Sequence, residues 1–171
     1  MSIDIIIAGT LFVTGIILMG SALWEQFIQN DDSFDSFFNN KKWKSNVPYT
    51  RLVSEIIQFT GSFLAEKKIK KYPLYKIRYY KHNRYAGVFD GEVVVYLKSN
   101  HDVPTLVNTV LHECMHYVQS KDSAQYKKYA ELLDNYGYWK HPLEVEARAF
   151  AEQYSESCIK HLASKQLIVK E

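Results

Sequence analysis

The sequence predicts an α+β domain behind an N-terminal membrane-spanning helix, and three observations carry that expectation. Residues 5–23 read IIIAGTLFVTGIILMGSAL, without a single charge. Asp90-Gly91 stands between two runs of strand-forming residues, which is a hairpin signal. After Asp102, apolar residues recur at helical spacing almost to the C-terminus.

The uncharged run comes first. At 1.5 Å per residue it reaches about 28 Å, close to the ~30 Å hydrocarbon core of a bilayer. A signal peptide would carry Lys or Arg ahead of the run, whereas only Asp4 precedes it. A buried core helix would show a polar stripe, and this run shows none. The chain thus divides into an anchor at 1–24, a polar linker at 25–46 and a domain at 47–171. Lys41, Lys42 and Lys44 follow the span, so the positive-inside rule puts the domain on the cytoplasmic side.

Within the domain, Leu52, Val53, Ile56, Phe59, Thr60, Phe63 and Leu64 mark an amphipathic helix over residues 49–68. Pro73 breaks it. Residues 74–80, 85–89 and 92–98 then read as strands of a small antiparallel sheet. The last of them is expected at the edge of a cleft, where an extended peptide can add as a further strand. Asn100 to Asp102 supply caps for a helix running from Val103 or Pro104 to about Ser120. A helix over 123–135 stops near Gly137, and a last one runs from Pro142 to about Ser164.

Composition excludes several function classes. The 171 residues suit one domain plus an extension, and 47% apolar content supports a core. Net charge is +2, which gives no electrostatic case for a nucleic-acid binder. Two cysteines, Cys114 and Cys158, are too few for a disulfide framework and read as buried thiols. Residues 67–84 hold eight Lys and Arg interleaved with tyrosines, and read first as a basic outer face, with nucleic-acid or anionic-lipid contact as the alternatives. No G-x-S-x-G, P-loop or Rossmann fingerprint occurs, so serine-hydrolase, NTPase and dinucleotide chemistries lack support.

The chemistry lies in His112-Glu113-Cys114-Met115-His116. Residues four apart stack on one helix face, so both imidazoles can reach one ion at about 2.0–2.1 Å. Glu113 is turned about 100° away from His112, where it flanks the ion and can take a proton from water. A third ligand is sought in Pro142-Leu143-Glu144-Val145-Glu146. Pro142 suits the first helical position, and Glu144 lies nearer the apolar stripe of that helix than Glu146. Residues two apart point in nearly opposite directions, so only one of the two can ligate. Glu144 is favoured and Glu146 is the alternative. Tyr136, Tyr138, His141 and Arg148 are candidates for an oxyanion donor or a supporting role.

HECMHYVQ, followed by HPLEVEARAFA, resembles the gluzincin group of zinc metallopeptidases over residues 92–155. The resemblance implies a zincin-like fold and a Zn²⁺ held by His112, His116 and Glu144. It also implies Glu113 as general base and a peptide or protein substrate. Where such families often place Asp or Asn four residues after the ligand, to buttress a histidine, this chain has Arg148. The function expected is peptide hydrolysis by a membrane-anchored zinc metallopeptidase. Arg148 motivates the alternative, a zinc-stabilised binding or regulatory module with little or no activity. In a third reading the pentad is coincidental and the chain is a membrane-anchored adaptor.

Overall fold

A computed structural model of the chain describes residues 43–82, 84–100 and 102–170. The span expected at 5–23 and most of the linker lie outside the described residues. Among the described residues no helix is long and apolar enough to cross a membrane.

The architecture is α+β. In chain order the elements are β1 (Trp43–Ser45), α1 (Tyr49–Phe59), α2 (Gly61–Glu66), β2 (Tyr75–Arg78), β3 (Gly87–Phe89) and β4 (Val93–Tyr96). A 3-10 turn at Leu97–Ser99 leads into α3 (Val103–Gln119), α4 (Ser123–Tyr126), α5 (Tyr129–Lys140), α6 (Pro142–Ser164) and β5 (Ile168–Lys170).

The core is built around α3, which packs on α6, α1, β3 and β4. Leu106, Val107, Val110 and Leu111 of α3 are fully buried, as are Leu52, Val53 and Ile56 of α1. Each such side chain contributes roughly 1.5–3 kcal/mol by leaving water. Across from them, Leu143, Ala147, Ala151, Cys158 and Leu162 of α6 are also fully buried. Ala147 and Ala151, one turn apart, carry almost no side chain, which lets α3 come close to α6. Cys114 and Cys158 are free buried thiols. Burial pushes Cys158 up to about 12 and Cys114 higher still, so neither is reactive.

Three features differ from expectation. The sheet is mixed, not antiparallel: its order is β2-β4-β3, with β2 parallel and β3 antiparallel to β4. Apolar β4 therefore sits in the middle and not at the edge of a cleft. Residues 79–86 are long enough to carry the chain past β4, so basic β2 and short β3 take the edges. The first helix is broken at Thr60, whose hydroxyl donates to the Ile57 carbonyl, and the helix expected over 123–135 is two. The second of these, α5, is interrupted at Gly137, whose φ of 66° and ψ of 166° are not helical, so the regular helix stops where the sequence expected it to. Finally, Trp43–Ser45, placed in the linker by the sequence, pair antiparallel with β5. This ties both ends of the described domain together.

Candidate metal centre

Asp102 begins α3 by accepting the Thr105 N–H at 2.7 Å, with Pro104 in the first turn. The helix then runs unbroken past the two histidines. His141 begins α6: its Nδ1 accepts the Leu143 N–H at 3.1 Å, and its Nε2 donates to the Tyr129 carbonyl at 3.1 Å. Fully buried and satisfied on both nitrogens, His141 is a helix cap and not the oxyanion donor considered from sequence. That cap places Glu144 in the first turn of α6, facing α3.

The three predicted ligands meet. His112 Nε2 and His116 Nε2 are 3.1 Å apart, and each lies 3.3 Å from an oxygen of Glu144. A tetrahedral site with bonds of 2.0–2.1 Å requires its ligand atoms to be about 3.3 Å from one another. The N–N spacing is close to such an edge, while the two histidines approach different oxygens of Glu144, His112 at Oε2 and His116 at Oε1, with one ligand atom from each residue lying within 4.8 Å of the others. Glu144 is 2% exposed, and its Oε2 is buried without a hydrogen-bond donor. A buried carboxylate oxygen left so, with two imidazole nitrogens beside it, fits a shared cation. Glu146 is exposed and accepts from Gln119 Nε2 at 2.9 Å, so Glu144 is the residue brought to the histidines.

Gln119 supplies what Arg148 was expected to withhold. Its Nε2 donates to the Leu143 carbonyl and to Glu146, which turns its Oε1 toward His116. That oxygen lies 2.7 Å from His116 Nδ1, so the proton sits on Nδ1 and the Nε2 lone pair faces the cluster. Tyr129 donates a short hydrogen bond to Glu144 Oε1 and fixes the carboxylate from the other side. Neither residue was found from sequence. Gln119 had a signal, since it lies one turn after His116, whereas Tyr129 had none.

Charge follows this geometry. Burial works against ionising Glu144, but the adjacent His112 and His116 rings and the hydrogen bond from Tyr129 hold it well below the usual carboxylate range. Burial lowers His112, while for His116 the Glu144 and Glu113 carboxylates outweigh burial and raise it. Burial, then bonding to Glu144, pushes the Tyr129 phenol far above its ordinary value. Glu113 is 6% exposed, and burial pushes its carboxyl up to about 7, opposed by His116 and by the Phe89 backbone.

The strand beside Glu113 is β3. A Cβ on Gly87 would stand 2.6 Å from Thr109 Cγ2 and 3.0 Å from Glu113 Cγ, so only glycine lets β3 lie this close to α3. Bonds from Tyr96 N–H to the Ala86 carbonyl and from Asp90 N–H to the Glu92 carbonyl make 86 and 90 the paired positions. Gly87 and Phe89 therefore turn their backbone groups away from β4, toward the unpaired edge of β3, where Gly87 is buried and the Phe89 N–H donates to Glu113.

The remaining candidates lie around the rim. Tyr138 is 42% exposed, and burial together with the Glu144 carboxylate pushes its phenol up to about 12. Arg148 Nη2 donates to the Trp139 carbonyl, and the guanidinium lies 5.3 Å from the Trp139 ring centroid and 5.8 Å from that of Tyr138. It braces the end of α5, and its charge adds to the lowering of His112. Tyr136 is exposed.

No family model matches the chain, and neither a curated protein nor a solved structure shows significant similarity to it.

Proposed function

We propose that the chain is a zinc-dependent metallopeptidase, with His112, His116 and Glu144 as ligands and Glu113 as general base. The observation that carries the proposal is Glu113: a buried carboxylate at the edge of a three-ligand cluster, beside an unpaired strand edge. Three protein ligands, the number found among the described residues, are what catalytic zinc sites use; structural sites use four. The N,N,O donor set suits zinc among the common divalent ions.

When bound, such an ion supplies Lewis acidity, polarising a carbonyl and acidifying water. The chain's own residues do the rest. An extended peptide can lie along β3 and use the outward groups of Gly87 and the Phe89 carbonyl. Glu113 accepts a proton at its carboxylate and returns it to the leaving amine. Tyr138, half-exposed at the rim and near enough to Glu144 to feel its charge, is our candidate donor to a developing oxyanion. The zincin-like fold implied by the resemblance belongs to this same proposal.

The test is turnover of a peptide library by the metal-loaded full chain and by Glu113→Gln. The variant is expected to keep its metal and lose cleavage about 10²–10⁴-fold. Undiminished cleavage by Glu113→Gln would remove the base from the mechanism.

Enclosure favours a second reading. Glu144 and His116 are 2% and 6% exposed, as in a site whose ion ties α3 to α6 without turning over substrate. That module would bind metal and show no cleavage of any peptide, with or without Glu113.

A further inference from the structure

We infer that the edge of the domain formed by β2 and its flanking loops is a docking surface for anionic lipid membranes. Residues 67–84 carry eight Lys and Arg and no Asp or Glu. The whole chain is only +2, so this stretch at +8 leaves the remaining residues at −6. Such segregation gives the molecule one strongly positive side.

The structure puts these charges outward. Lys76 and Arg78 alternate with half-buried Tyr75 and Ile77 along β2, so both cations stand on its solvent face. Lys68, Lys70 and Lys71 are exposed in the loop before it. Among the ion pairs of the described residues only Lys76, with Glu92, is drawn from this stretch. The loop is held in place: Tyr117 donates to the Lys71 carbonyl at 2.8 Å, and Tyr75 to the Thr50 carbonyl at 3.2 Å.

Lysines on an edge strand also prevent strand-to-strand aggregation. That role does not explain the apolar groups presented with them. Leu74 is 75% exposed, Tyr79 64%, Tyr80 53% and Tyr72 49%. Between α2 and this loop lies an open cleft of about 480 Å³, lined by Leu64, Ile69 and Tyr72 with Lys68, Lys70 and Lys71. Exposed aromatic and aliphatic side chains among lysines match the headgroup region of a bilayer, where rings sit at the interface and ammonium groups meet lipid phosphates. A single-stranded nucleic acid would use the tyrosines for stacking, but an exposed leucine adds nothing there. The same chain carries the uncharged run at 5–23, whose length suits a bilayer core.

The test is lysine footprinting of the full chain with an amine-reactive reagent, with Lys160 on α6 as reference. Vesicles of phosphatidylcholine are compared with vesicles containing about 30% phosphatidylserine, the kind of surface that attracts polybasic segments. Labelling of Lys68, Lys70, Lys71 and Lys81 is expected to fall several-fold on the anionic vesicles alone. It should recover in about 0.5 M salt, where screening is short-ranged. Free inorganic phosphate should leave labelling unchanged. A variant with Lys68→Glu, Lys70→Glu and Lys71→Glu, all at exposed positions, should lose the protection of Lys81. Equal labelling on both vesicles would overturn the inference. So would protection by a single-stranded oligonucleotide with none from anionic vesicles.

Discussion

Gln119 decides which nitrogen His116 turns to the cluster. With two acceptors on its Nε2, its Oε1 can only accept, and the 2.7 Å contact to His116 Nδ1 follows. Gln119→Leu should lower metal affinity about 10–100-fold, the usual effect of losing such a partner. Competition against a chromophoric chelator measures it, and unchanged affinity would show that His116 needs no such support. Gly87 acts through space alone. Gly87→Ala puts a methyl 2.6 Å from Thr109 Cγ2 and against Glu113, and should cost about 1–3 kcal/mol. Urea unfolding reads the cost, and a peptide assay should show that displacing Glu113 lowers turnover. If stability and turnover both matched wild type, β3 would not be packed on α3 as described. Both histidines and the flanking Glu113 were legible in the sequence, because i, i+4 spacing on a helix leaves little freedom. Tyr129 was not, because α5 brings its hydroxyl to Glu144 only through the fold.

At the scale of elements, α6 ends as helices often do, but with an unusual residue. Gln166 takes φ 57°, while the N–H groups of Gln166 and Leu167 reach back to Ala163 and Leu162. This backbone geometry is normally given to glycine. Gln166→Gly relieves the left-handed strain and gives back part of the gain as backbone entropy. The net expected is on the order of 0.5 kcal/mol of added stability. A lower urea midpoint would mean that the Gln166 side chain contributes more than its backbone costs. The long helices α3 and α6 could be read from caps and periodicity almost to their ends: Asp102, Pro104 and Pro142 are local signals, and local signals suffice for helices. The sheet could not be read this way. Strand order depends on which strand the core takes as its centre, and Val93, Val94 and Val95 won that place over basic β2. The β1–β5 pair is as non-local as the described residues allow, joining Trp43 to Lys170. Nothing near Trp43 in sequence announces its partner.

For the whole molecule, the cluster sits where α3 meets α6, the most extensive helix–helix contact in the domain. Metal bound there stabilises the fold, since the unfolded chain has no such site. At metal about 100-fold above Kd the gain is about 2.7 kcal/mol. Adding a chelator should lower the urea midpoint accordingly, and superimposable curves with and without chelator would argue against an ion bridging the two helices. A peptidase site here requires the metal, held by Glu144 and not by Glu146. The most direct measurement is therefore zinc per chain by elemental analysis of the full chain, for wild type, His112→Ala, Glu144→Ala and Glu146→Ala. About one zinc is expected in wild type and in Glu146→Ala, with loss in His112→Ala and Glu144→Ala. A folded wild type without stoichiometric zinc, or loss in Glu146→Ala with retention in Glu144→Ala, would contradict this assignment.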